Sequence, residues 1–259
     1  SPTTSISLSI GDLGPEGWGL LIAAPVIGSF IGVLIRRLPD RQPIVWSRSK
    51  CEGCGAALTP RDLVPLISWM LARGRCRRCG YPLGWFYPGT EIAALIVVLI
   101  ALAVDDVPRA ALDCLFGWWL LTLAWIDLRR WVLPDVLTLP LIVAGLAAAA
   151  SIDPDTLLDR ALGAVLGYAA LRALAVFYRM LRQREGLGRG DAKLLGAAGA
   201  WVGATALPQV ILLAALAALL AAAALRLVGV RLHAHSALPF GPFLSLAIWT
   251  IWLGGPFSF

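Results

Sequence analysis

Residues 208–230 read PQVILLAALAALLAAAALRLVGV, a stretch of 23 residues in which Arg226 is the one charge. A helix needs about 20 consecutive apolar residues to cross the hydrocarbon core of a bilayer, and this stretch meets that length. Seven further apolar segments lie near 18–35, 89–104, 108–126, 132–150, 160–180, 191–206 and 237–254; the one at 191–206 is short and bounded by Pro208. Across all 259 residues, 59% are hydrophobic and 15% charged, with mean hydropathy +0.78. A soluble domain is about half apolar and about a quarter charged. The excess is too evenly spread for one core or one anchor. The expected fold is an all-α polytopic membrane protein of about eight transmembrane helices.

The charges orient it. Ten of the 22 Lys and Arg lie between the first two segments, from Arg36 to Arg78. Arg129 and Arg130, then Arg179, Arg182, Arg184, Arg189 and Lys193, then Arg226 and Arg231 fall at every second turn after that, while the opposite turns carry Asp105, Asp106, Asp153, Asp155 and Asp159. Basic loops stay in the cytoplasm, so both termini are expected outside and the long loop after the first helix inside. The net charge of +6 is thereby assigned to topology, and nucleic acid is not expected as a partner. Residues 1–17 contain Asp12 and Glu16 and lack the positive start of a cleavable signal peptide, so the first helix is expected to be kept.

Residues 38–88 form the one long polar segment, and they hold Cys51-x-x-Cys54 and, 21 residues on, Cys76-x-x-Cys79. Each C-x-x-C turns two thiolates toward one point, and two such knuckles make a closed four-thiolate site suited to a structural Zn2+. Gly53, Gly55 and Gly80 would ease those turns. A segment of about fifty residues buries little core by itself, and a metal staple compensates. The division expected is 1–37 for the N-terminal segment and first helix, 38–88 for the zinc-ribbon-like module, and 89–259 for the remaining membrane core.

Carboxylates at a membrane edge are costly and are functional candidates for that reason. Asp127, Asp135 and Asp191 all fall at the same face in the topology above. Two carboxylates held together can divide the roles of base and acid around one water, the logic of aspartic proteases. Gly188 and Gly190 would clear space beside Asp191 for a substrate backbone. Helix capping competes as an explanation for Asp135 and Asp191, and an ion pair with Arg129 or Arg130 for Asp127. Which two of the three acids pair is open at this level. His233 and His235 read as loop residues.

Five stretches together carry a resemblance: Gly28-Ser29-Phe30 through Arg37-Leu38-Pro39; the two C-x-x-C pairs; Tyr87-Pro88 with Glu91; Ile126-Asp127 through Leu133-Pro134-Asp135-Val136-Leu137-Thr138; and Arg184-Glu185-Gly186 through Gly188-Arg189-Gly190-Asp191-Ala192-Lys193-Leu194. In these the chain resembles the bacterial type IV prepilin peptidases over nearly its whole length. The resemblance implies catalytic roles for Asp127 and Asp191, in the I-D and G-x-G-D motifs. It implies a multi-pass protein of the bacterial inner membrane that cleaves the short basic leader of type IV prepilins or type II secretion pseudopilins on the cytoplasmic side. In many members S-adenosylmethionine then methylates the new N-terminus. One position departs: the family's first motif has Asn where this chain has Gly32, which puts the methyl-transfer step in question. Glu52, Asp62, Glu91, Asp135 and Glu185 are expected as acidic contacts for a basic leader. A transporter or a membrane scaffold with a zinc ribbon are the rival readings.

Overall fold

The computed structural model describes residues 14–44, 48–182, 188–229 and 238–256. Glu185, His233 and His235, with Arg184 and Arg231, lie outside the described residues. The described residues form nine α-helices: α1 Pro15–Arg37, α2 Ile67–Leu71, α3 Phe86–Val104, α4 Val107–Arg130, α5 Asp135–Ile152, α6 Leu157–Arg182, α7 Arg189–Val202, α8 Leu207–Leu227 and α9 Gly241–Gly254. They group into two compact units, one up to Trp118 and one from Trp119 on, with α4 contributing to each.

Among the described residues, α1, α3, α4, α5, α8 and the stretch Pro154–Leu181 that holds α6 are long and apolar enough to cross a bilayer. The chain is a multi-pass membrane protein. The segments expected at 191–206 and 237–254 are α7 and α9, of 14 residues each. At 1.5 Å per residue each is about 21 Å long, short of the roughly 30 Å core. For α7 the reason is its setting. Every residue from Leu194 to Trp201 is buried, so it packs on protein and lipid thickness does not set its length.

In the first unit, α1 lies against α3 with almost no side chain between them. A Cβ on Gly28 would fall 2.5 Å from the Glu91 Cα, and one on Gly32 would fall 2.9 Å from the Tyr87 ring. Spacing of four puts both glycines on one helix face, the arrangement that lets membrane helices touch. The position where an Asn was expected is thus the floor under the Tyr87 ring. Trp118 of α4 closes the group by donating its indole N–H to the Ala94 carbonyl at 3.0 Å.

In the second unit α7 is the central post, packed on α5, α6 and α9. Its seam with α6 is backbone on backbone: a Cβ on Gly199 would sit 2.1 Å from the Gly163 carbonyl carbon, and one on Gly167 2.5 Å from the Leu195 oxygen. On the α5 side, Trp201 donates its indole N–H to the Leu141 carbonyl at 2.9 Å. The far end of α7 stops at Gly203, whose φ of +86° suits glycine.

Candidate active site and metal centre

Asp127 lies in the last turn of α4, inside the helix, and is 6% exposed. Burying a carboxylate requires partners for its oxygens. Gly241, the first residue of α9, supplies one by donating its backbone N–H to Asp127 Oδ2 at 2.9 Å. The opening N–H groups of a helix have no partner within it and carry its positive dipole end, so the start of α9 is a natural anchor for this side chain. The fit is tight, since a Cβ on Gly241 would lie 2.6 Å from that same oxygen.

Asp191 is the third residue of α7, after the N-cap Gly188, and is half-buried. Its carboxylate accepts the Gly188 backbone N–H and lies close enough to Asp127 for the two charges to interact. Asp191 is therefore not the N-cap: from the first turn it reaches back to the Gly188 N–H while facing the second acid. The two glycines stand in different surroundings. Neither Gly188 nor Gly190 has a positive φ. The bare face of Gly190 is filled by Leu133, whose Cβ would be 2.7 Å from an added methyl, so the packing of Leu133 requires a glycine here. At Gly188 an added Cβ would stand 3.1 Å from Asp191 Oδ2.

Asp135 does not join the pair. It is the first residue of α5, makes no cap hydrogen bond, and pairs with Lys193 while remaining 61% exposed. Lys193 is thus turned toward Asp135. The sequence left three acids open; the fold brings Asp127 and Asp191 together and gives the third a surface ion pair. Gly241 was missed by the sequence reading. A Gly-Pro pair opening an apolar stretch signals a helix start, but nothing local says whose carboxylate will cap it. Also missed was Asp113, fully buried in α4. It lies 14 residues before Asp127 on the same helix, about 21 Å along the axis, and so outside this site.

The cysteine module stands in the first unit. Its two knuckles repeat one hydrogen-bond scheme: Gly55 N–H donates to the Cys51 carbonyl and Gly80 N–H to the Cys76 carbonyl, both at 2.9 Å. Gly55 and Gly80 have φ of +68° and +73°, as the tight turns require. Gly53 has another job, since the Tyr81 ring occupies the place of its Cβ. The Sγ atoms of Cys51, Cys54, Cys76 and Cys79 all lie within 4.8 Å of one another. Tetrahedral zinc with bonds of about 2.3 Å sets its sulfurs about 3.8 Å apart, and Cys51 and Cys79 are 3.8 Å apart. Backbone N–H groups of Cys79 and Arg78 bring the Cys76 thiol down to about 6. Cys79, although the Tyr81 N–H favours its thiolate, is pushed up to about 12 by desolvation and the neighbouring thiols. The Cys76 thiolate forms readily, and Cys79 resists ionisation until a cation shares its charge. The four residues fit a metal ion.

Of the acids expected to meet a basic leader, the four among the described residues have partners, Asp135 through Lys193. Glu52 pairs with Arg36. Asp62 pairs with Arg77 at 3.6 Å and caps Thr59, whose hydroxyl and N–H hold its carboxyl below the usual range. Glu91 is 4% exposed and accepts the Leu66 N–H at 2.7 Å.

Two family models match. The bacterial peptidase A24 N-terminal domain covers residues 22–104, and the type IV leader peptidase family covers residues 114–223. The chain belongs to the type IV leader peptidase family. The first matched stretch contains the four cysteines and Glu91, the second both aspartates of the pair. Among its relatives in the family, the prepilin leader peptidase/N-methyltransferase of Burkholderia pseudomallei strain K96243 is 38% identical over 92% of this chain and 85% of its own length. The protein of that name from Aeromonas hydrophila is 37% identical over 89% of this chain and 88% of its own. That from Pseudomonas aeruginosa is 34% identical over 89% of this chain and 87% of its own. No solved structure matches the chain.

Proposed function

We propose that this chain is a prepilin leader peptidase of the bacterial inner membrane, an aspartic endopeptidase in which Asp127 and Asp191 are the catalytic pair. The observation that carries the reading is their juxtaposition. Two carboxyls from α4 and α7, 64 positions apart in the sequence, interact, and each is held by the backbone N–H of a helix start. One carboxyl, as base, takes a proton from a water held between them. The water oxygen attacks the scissile carbonyl, the C–N bond breaks, and the other carboxyl delivers a proton to the departing amine. Fixed N–H donors keep both side chains in place, which is where such a site gains its rate.

The substrates are type IV prepilins or type II secretion pseudopilins, cut after their basic leader at the cytoplasmic face. Charge placement supports eight membrane segments, α7 and α9 being short ones, with both termini outside and the module at 38–88 inside. The ion at Cys51, Cys54, Cys76 and Cys79 is Zn2+ in a structural role, because four thiolates leave no open coordination position.

The relatives' names add N-methyltransferase activity, for which S-adenosylmethionine would supply an electrophilic methyl group. A cavity of about 350 Å³ in the first unit fits such a donor. Tyr81 and Tyr87 line it as aromatic walls for a flat base, and Glu52, paired with Arg36, lines it beside them. Among the described residues, Arg36 Nε is a buried donor without an acceptor, and Arg36 lines the same cavity. Calorimetric titration with a non-reactive analogue, wild type against Tyr87→Ala, tests this apart from turnover.

The peptidase test is prepilin cleavage in liposomes by the wild type and by Asp127→Asn, Asp191→Asn and Asp135→Asn. Loss in the first two, with Asp135→Asn near wild type, is expected. Full activity in both Asp127→Asn and Asp191→Asn, with the proteins folded, would end the aspartic-protease reading.

A further inference from the structure

Between Asp62 and Arg73 the cysteine module has ten residues without a charge, Leu63-Val64-Pro65-Leu66-Ile67-Ser68-Trp69-Met70-Leu71-Ala72. In water such a run should fold inward. Instead Ile67, Met70 and Leu71 are 57%, 68% and 72% exposed, Leu63 and Val64 are exposed too, and Trp85 beside them is 71% exposed. The grouping is built. The Trp69 and Trp85 rings sit 4.5 Å apart, and Trp69 donates its indole N–H to the Gly84 carbonyl at 3.0 Å. Contiguous exposed apolar surface of this kind marks a contact with another phase or molecule.

The height of the patch says which. Leu66 stands at φ +58° and ψ −51°, a conformation that L-residues rarely adopt. It is held there by its N–H, which donates to Glu91 Oε2 at 2.7 Å. Glu91 lies five residues into α3, about 7.5 Å along the helix axis. The 19 residues of α3 extend about 28 Å, so the whole helix is needed to cross the core and its first turns lie at the boundary of headgroups and chains. Leu66 is pinned at that depth, and the apolar side chains around it are carried to the same level. Arg61, Arg73 and Arg75, all exposed, bracket the run in the sequence and are available to anionic headgroups. Trp85, immediately before α3, occupies the usual place of an interfacial aromatic.

We propose that residues 63–72, with Trp85, lie in the interface of the bilayer, so that the cysteine module rests on the membrane through a lipid-facing loop. The occupant of the patch is phospholipid. Glu91 and Leu66 form the clasp that sets its depth.

The full zinc-loaded chain, reconstituted into vesicles of phosphatidylethanolamine and phosphatidylglycerol, tests this. A trace of phospholipid carries a diazirine near the headgroup end of one acyl chain, and adducts are mapped by mass spectrometry after irradiation. Adducts are expected on Ile67, Met70, Leu71 and Trp85 at yields like those on Ile92 of α3, and about tenfold above the exposed knuckle residues Glu52 and Gly53. Met70→Asp with Leu71→Asp, both exposed and so compatible with folding, should cut labelling of the loop several-fold while leaving Ile92 unchanged. Labelling of Ile92 with residues 63–72 at the level of Glu52 would overturn the proposal. So would labelling of the loop by a photoreactive prepilin helix but not by lipid, which would make the patch a substrate-docking surface.

Discussion

Gly241→Ala is the sharpest test of the site, because it touches the aspartate pair proposed as catalytic without removing either carboxyl. Gly241 is in the ordinary helical region, so alanine is not opposed by backbone strain. Its cost is steric. The new methyl would stand 2.6 Å from Asp127 Oδ2, 2.9 Å from Cγ and 3.0 Å from Cβ, where ordinary contact begins near 3.4 Å. Oδ2 must therefore retreat by about 0.8 Å, or the start of α9 must move by as much, and either lengthens the 2.9 Å bond from the Gly241 N–H. A misplacement near 1 Å in a pre-organised site costs about 100-fold in rate. Overpacking of a buried contact costs about 1–3 kcal/mol in stability. The assay is single-turnover prepilin cleavage in liposomes beside thermal unfolding in detergent. The expected result is a kcat lower by about two orders of magnitude, with KM little changed because leader binding is not touched. A folded Gly241→Ala protein with kcat within about twofold of wild type would refute the claim that the α9 start positions Asp127.

Three further outcomes follow from the same geometry. Gly32→Asn places a side chain 2.9 Å from the Tyr87 ring; it should lower the unfolding temperature by an amount equivalent to about 1–3 kcal/mol, as overpacking does, with unchanged stability counting against the α1–α3 contact. Gly199→Leu should abolish folded yield from membranes, since its Cβ alone would lie 2.1 Å from the Gly163 backbone. Purified protein should carry about one zinc per chain, and acidification should release it, because protons compete with the cation for the thiolates; the Cys76 thiol sits at about 6 without the ion, and bound zinc holds its thiolate to a lower pH than that. A chromogenic chelator follows the release, and retention to pH 4 would count against this ligand set.

Much of this molecule can be read along the chain because lipid is a demanding solvent. Apolar length and basic loops foretell the long helices, and C-x-x-C spacing foretells the sulfur cluster, since those signals are local. What is not local escapes. Asp127 and Gly241 are 114 positions apart, and no pattern near either names the other. Asp135 looked like a helix cap because it follows a proline, but Lys193, 58 positions on, draws its carboxylate to the surface. Segment length is a weak guide at α7 for a related reason: apolar runs are judged against a bilayer, and α7 is packed on other helices. Gly190 has the composition of an open approach to the acid, but Leu133 fills it, and that becomes visible only when α7 is set against the chain that precedes α5.

The glycine seam between α6 and α7 bears on where motion can occur. Side chains between helices act as springs, able to change rotamer and let one axis slide on another. Where Gly163, Gly167, Gly196 and Gly199 bring backbone onto backbone, there is no such spring. Asp191 therefore rides on a strut seated by main-chain atoms. If Asp191 is catalytic as proposed, sliding of α7 on α6 is closed to it as a way of meeting a scissile bond, and the incoming polypeptide must come to where that strut holds its carboxyl.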